Sequence, residues 1–267
     1  MSAPQIILFA FCLLLFLAAI FFFYRGNNGG GTVVIIAALT LCLVSAVGPT
    51  TISNLVLEQT ADGFKLDLCR NVDTPEKIEA HLQAAAEINK GDKSAATHEI
   101  VQEIAETPDA KRSAADYLVL ATTSWKQAHY IDGLAYAQQG LRLQPEDERL
   151  HATLLHRMGA LLVEMGDNAK AEEYFHKAIA ADPTFSWPYN NLGLLLIDLK
   201  RYDEASAALQ KALELDPDDP EIHDSQGDLF RSLKRYDEAE AAYRKAIELD
   251  PDEPLYQTKL RRVLEGR

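Results

Sequence analysis

His151 and His156 stand five residues apart. On a helix that spacing puts them on different faces, whereas a zinc-binding pair needs four. The run Asp216-Pro-Asp-Asp-Pro-Glu221 is dense in carboxylates, but it lacks the central glycine and distal glutamate of a calcium loop and reads as a turn supplying helix caps. Gly26 to Thr32 is rich in glycine and lacks the Gly-Lys-Ser/Thr ending of a phosphate-binding loop. Of the three cysteines, Cys12 and Cys42 fall inside apolar runs and only Cys69 lies elsewhere. Neither a disulfide framework nor a CxxC metal site can be built from them. No catalytic residue, metal site or cofactor is expected, and the chain is not expected to be an enzyme.

The remaining chemistry is recognition, and it depends on the elements that repeat. Tyr189, Leu192, Gly193, Leu196, Ala205, Leu209, Ala212 and Pro217 return 34 residues later as His223, Gln226, Gly227, Phe230, Ala239, Tyr243, Ala246 and Pro251. Small residues recur where two helices must approach closely, with large ones beside them. Lys200 and Arg201 close one helix with cations, and Asp203 and Glu204 open the next with anions, as helix dipoles favour. Pro217 stops the unit because its ring cannot continue a helix.

This order resembles the tetratricopeptide repeat (TPR) family. The resemblance implies an all-α solenoid over 73–267, with helix pairs at about 77–110, 114–147, 152–185, 186–219 and 220–253 and a capping helix in 254–267. In the first unit Ala84 and Ala96 fall at the small positions and Ile100 at the large one. Gly133 and Gly140 replace the usual alanines of the second, so its second helix is expected to be looser. The four extra residues between Pro145 and Pro183 predict a longer helix or turn at 146–151. In the cap, Lys259, Arg261 and Arg262 are expected on the outer face, as shielding of an array's last apolar face requires.

The resemblance further implies a concave groove lined by the first helix of each repeat. Carried onto this sequence, the groove positions are Leu118, Thr122 and Trp125, then His156, Val163 and Glu164. Next come Trp187, Asn190, Leu194 and Asp198, and last Glu221, Asp224, Asp228 and Arg231. Such a groove is apolar in the middle and acidic toward its C-terminal end, which suits a protein or peptide with an apolar anchor and a basic flank. Glu221 and Ser225 stand where the chaperone-tail-binding members carry lysine and arginine, which disfavours a carboxylate clamp.

The N-terminal region differs in kind. Ile6 to Tyr24 has no charge and nearly the length of a bilayer-spanning helix, and a second apolar run, Val33 to Val47, follows the glycine-rich turn. Residues 1–48 are therefore expected to form a transmembrane hairpin, with spans at 6–24 and 32–48, that makes the lipid bilayer a partner. Residues 49–72 are expected to be a linker or small β-hairpin, with Leu55-Val-Leu57 and Phe64 to Leu68 about Asp62-Gly63. Arg25 favours a cytoplasmic turn while Lys65 and Arg70 pull the other way. The expectation is an integral protein of a bacterial inner membrane with its repeats on the extracytoplasmic side. Residues 51–267 hold 25 of the 26 basic and all 40 acidic residues, a net of −15, which disfavours nucleic acid.

A membrane-anchored scaffold or adaptor is the leading functional expectation. The layout is similar to that of the TPR subunit of cytochrome c maturation, although that family has a long charged segment between its spans. A structural subunit of a larger membrane complex is the third possibility.

Overall fold

The computed structural model describes residues 55–60, 63–68, 73–91 and 94–266. The chain divides after Val72 into two units. In the first, β1 (Leu55–Thr60) and β2 (Gly63–Leu68) pair antiparallel, with Leu55 opposite Leu68 and Thr60 opposite Gly63. The runs 6–24 and 32–48, and with them the expected transmembrane hairpin, lie outside the described residues.

The described part of the second unit holds eleven α-helices. They are α1 (Pro75–Lys90), α2 (Ala95–Glu106), α3 (Ala114–Lys126), α4 (Tyr130–Arg142), α5 (Glu148–Glu164), α6 (Asn168–Ala181), α7 (Ser186–Asp198), α8 (Tyr202–Leu215), α9 (Pro220–Ser232), α10 (Tyr236–Leu249) and α11 (Pro254–Glu265), with a 3-10 turn at Asp109–Lys111. From α3 to α9 each odd-numbered helix packs on the even-numbered helix after it, and α3, α5 and α7 also pack on the next odd-numbered helix. This is the stacking of an α-solenoid, in which each unit buries its apolar face on its neighbours.

Local sequence explains the helix ends. Thr74 accepts a hydrogen bond from Lys77 N and Pro75 opens α1. Ser113 and Asp116 form a reciprocal capping box on α3, and Asp147 accepts from Leu150 N at the start of α5. Such side chains satisfy the orphan N–H groups of a first turn.

Glycines sit where paired helices touch. A Cβ on Gly159 would lie 2.5 Å from Phe175 Cε1, and one on Gly193 2.6 Å from Leu209 Cγ. Gly227 faces the ring of Tyr243 in the same way. Phe175, Leu209 and Tyr243 are thereby fully buried, and each contributes about 2–3 kcal/mol by leaving water.

Gly133 and Gly140 of α4 lie close against α5, since a Cβ on them would lie 2.9 Å from Leu161 Cδ2 and 2.8 Å from Leu154 Cδ2. In α2 the buried small position is Thr97, not Ala96, which is exposed, and the buried large residue is Ile104. Thr97 is fixed there by a 2.5 Å bond from its Oγ1 to Glu87. The longer helix expected from the extra residues before the third repeat is present: α5 has 17 residues where α7 has 13.

The expected integral-membrane placement is also corrected. Among the described residues no helix is long and apolar enough to cross a membrane. Even α5, at 17 residues, carries Arg149, Arg157 and Glu164, whereas a span needs about 20 predominantly apolar residues.

Candidate functional site

A groove of about 500 Å³ opens between α1 and α5. Its α1 wall offers Leu82, Asn89 and Lys90, and its α5 wall Arg149, His156 and Arg157. Phe185 and Trp187, where α7 begins, add aromatic surface, and Asp216 and Asp219 before α9 and Glu221 in its first turn add carboxylates. The extra turn of α5 explains Arg149, whose guanidinium lies 4.7 Å above the Phe185 ring.

The α1 wall is pinned by polar contacts. Asp116 accepts from Lys77 Nζ at 2.9 Å, from His81 Nε2 at 3.0 Å and from Ser113 N at 2.8 Å. Burial works to raise the Asp116 pKa, but these bonds together hold it well below the usual carboxylate range. Asp73 accepts from Ala114 N and Ala115 N at the positive end of α3. Asn89 is held twice, its backbone O by Lys126 Nζ at 2.7 Å and its Oδ1 by Arg157 Nη2 at 2.8 Å.

Arg157 is 3 % exposed. Its guanidinium stacks 5.0 Å from the Trp125 ring centroid, and its Nε has no hydrogen-bond partner among the described residues. Burial alone pulls its pKa down to about 10. Beside it, His156 Nε2 accepts from Asn191 Nδ2 at 2.7 Å, and its ring meets Phe185 edge-on at 5.5 Å. Burial, assisted by the Arg157 charge, pushes the His156 pKa down to about 3, so the ring is neutral.

The residues expected in the groove divide sharply. His156, Trp187 and Glu221 line it. Leu118 is fully buried against Ile78 and Ala85 of α1 and Leu150 and Leu154 of α5. Thr122 is buried and donates to Leu118 O. Trp125 lies beneath Arg157 with its Nε1 buried and unpaired among the described residues. Asn190 is 1 % exposed with an unpaired Oδ1. Val163 and Leu194 are half-buried in one apolar cluster, while Asp198 and Glu164 are exposed.

Asp224, Asp228 and Arg231 form a separate cluster with the last helix. Lys259 Nζ donates to Asp224 Oδ2 and Asp228 Oδ2, both at 2.6 Å. Tyr243 Oη donates to Asp228 Oδ1 at 2.8 Å, and Arg231 Nη2 donates to the same oxygen at 3.2 Å. Lys259 was expected on the outer face of the cap; it turns inward because two carboxylates on α9 need a counter-charge. Asp224 is 8 % exposed, and burial pushes its pKa up to about 6 despite the Lys259 bond. Glu221 keeps a solvent-exposed edge, yet loss of solvation in the groove first, and the charges of Asp219 and Asp224 second, push its pKa up to about 7.

Sequence reasoning missed Asn89, Arg157 and Phe185. One signal was available for Arg157: it is the one formal charge in the run Leu154-Leu-His-Arg-Met-Gly-Ala-Leu-Leu162. Among the described residues no group of three or more His, Cys, Asp or Glu side chains could hold a metal ion.

Helix pairs stacked one on the next define a helical-repeat protein. Family models described as Tetratricopeptide repeat match residues 162–229 and 225–253, and that part of the chain is built of tetratricopeptide repeats. No curated protein matches it. Among solved structures it is similar to a thermophilic TPR protein of Thermus thermophilus, at 21 % identity over 70 % of this chain and 99 % of that one, with a TM-score of 0.55. Smaller parts resemble MamA of Desulfovibrio magneticus RS-1 (21 % identity, 57 % and 89 % covered, TM-score 0.44). The first TPR of Spaghetti (RPAP3), solved bound to an HSP90 peptide, is 22 % identical over 43 % of this chain and 91 % of that one, with a TM-score of 0.41. These likenesses are to the repeat fold and carry no link to cytochrome c maturation.

Proposed function

We propose that this chain is an adaptor that holds a segment of a partner protein in the groove between α1 and α5. The observation that carries this reading is the groove itself, about 500 Å³ open beside Leu82, Phe185 and Trp187. Apolar and aromatic walls with a few converging polar groups are the usual make-up of a recognition site. Trp187 is the anchor-binding residue, and Asp216, Asp219 and Glu221 receive a basic flank. Sequence-level groove positions such as Leu118 and Asn190 act in packing rather than in contact with the partner.

The test uses Trp187→Ala in the full chain. Short random peptides are selected on the wild type, and the retained set is measured again on the variant beside its thermal unfolding. Loss of retention with an unchanged unfolding transition is the expected result. Equal retention by the variant refutes the groove, and an unfolded variant makes Trp187 a packing residue instead.

A further inference from the structure

We infer that Arg157 is a carboxylate-binding anchor in the floor of the groove, so that the partner segment carries an acid beside α5 as well as a base toward α9. This rests on the groove being the binding site, and it goes beyond that reading by fixing the sign of one contact.

The argument begins from an uncompensated charge. A buried guanidinium is costly unless a carboxylate pairs with it. Arg157 is nine-tenths buried, lines the groove, and has among the described residues only a neutral amide oxygen, Asn89 Oδ1, and the face of Trp125 for company. Stacking on an aromatic ring holds the fork in place without using its donors in the ring plane. The unpartnered Nε leaves one donor edge unmet.

The contrast with the other buried or half-buried cations is informative. Lys259 is matched by Asp224 and Asp228, Lys77 by Asp116, and Arg201 by Glu172 and Glu204. Arg149 and Lys90 also line the groove, but Arg149 has Asp182 at 3.9 Å and Lys90 shares the lining with Glu79, Asp219 and Glu221, so Arg157 is the lining cation that no carboxylate pairs with among the described residues. A carboxylate entering the groove meets a planar fork held in place by the Trp125 ring, and it can replace the neutral Asn89 oxygen on Nη2. Charge-assisted bonds of that kind are about twice as strong as neutral ones.

The chain has two tryptophans, Trp125 and Trp187. In a full-length Trp187→Phe background, Trp125 is the sole indole and reports from directly beneath the guanidinium. Four probes are titrated at constant ionic strength: N-acetyl-leucine and its amide for a chain-terminal carboxylate, and N-acetyl-glutamic acid α-amide and N-acetyl-glutamine α-amide for a side-chain carboxylate. The expected result is a saturable change in Trp125 emission for an acid, at least about tenfold tighter than for its neutral partner. The acid preference disappears in Trp187→Phe/Arg157→Met. The pair that shows the preference identifies the source of the carboxylate.

Acid and amide titrating alike with Arg157 intact overturns the inference, whether or not the methionine variant folds. A preference that survives Arg157→Met overturns it too. An acid preference seen here while Trp187→Ala retains its selected peptides leaves the anchor standing and removes the anchoring role of Trp187.

Discussion

The ammonium of Lys259 donates to Asp224 Oδ2 at 2.6 Å and joins the last helix to the one before its neighbour. Because Lys259 also serves Asp228, one cation neutralises two largely buried carboxylates. Removing one member of such a cluster leaves uncompensated charge in place. Lys259→Met should therefore lower stability by about 2–4 kcal/mol at pH 7.5. The loss should shrink at pH 5, where Asp224, already pushed up to about 6, takes up a proton. Denaturant unfolding at both pH values checks this, and a penalty that is the same at each would be evidence against it.

Gly193 and Leu209 set the closeness of α7 and α8, since a Cβ on the glycine would lie 2.6 Å from Leu209 Cγ. Gly193→Ala should cost about 1–3 kcal/mol by overpacking. Leu209→Ala alone should cost about 2–5 kcal/mol through its cavity. The double variant should be clearly less destabilised than the sum, because the added methyl enters the space that the leucine vacates. Additive losses in a double-mutant cycle would mean that the helices separate rather than clash.

That pair also shows why the repeats were legible. Steric necessity writes itself into sequence: Gly193 opposite Leu209 and Gly227 opposite Tyr243 lie 34 residues apart and do the same work. The groove was less legible because exposure at a repeat position depends on neighbours outside that repeat. Leu118 occupies a groove position and is nevertheless buried, since α1 lays Ile78 and Ala85 over it. Lys259 read as an outer-face charge for the same reason, its partners lying more than 30 residues away. In α2, where no glycine marks the contact, the pattern pointed to Ala96 and the fold buries Thr97.

The turns between paired helices hold a reserve of stability. Gly166 (φ 78°), Lys200 (φ 61°) and Lys234 (φ 61°) occupy the same place after α5, α7 and α9. In each, the residue that follows bonds back to the first helix, as in Arg201 N to Leu196 O at 2.8 Å and Arg235 N to Phe230 O at 2.8 Å. A left-handed conformation costs a side-chain-bearing residue about 1–2 kcal/mol, and glycine adopts it freely at the cost of greater freedom when unfolded. Lys200→Gly and Lys234→Gly should each raise stability by about 0.5–1 kcal/mol. A rise in the urea midpoint at constant slope is the signature, and a fall in either variant would show that the lysine side chain contributes more than its backbone strain costs.

His156 should couple the fold to acid. Burial first, and the Arg157 charge second, push its pKa down to about 3, and Asn191 donates to its Nε2. A base whose folded pKa lies below its unfolded value of about 6.5 contributes its full stability above that value. The contribution is lost as pH falls from there toward 3. Glu221 and Asp224 run the other way: their raised values, about 7 and about 6, cost stability in alkali, and that cost fades as they protonate. Total stability against pH therefore mixes opposing effects, and the histidine is isolated by comparison with His156→Leu. Between pH 7 and pH 4.5 the wild type should lose about 2–3 kcal/mol relative to the variant. Denaturant titrations at the two pH values measure that difference directly. A stability gap between the two proteins that stays constant with pH would mean that His156 accepts its proton inside the folded array, which the amide of Asn191 at 2.7 Å opposes.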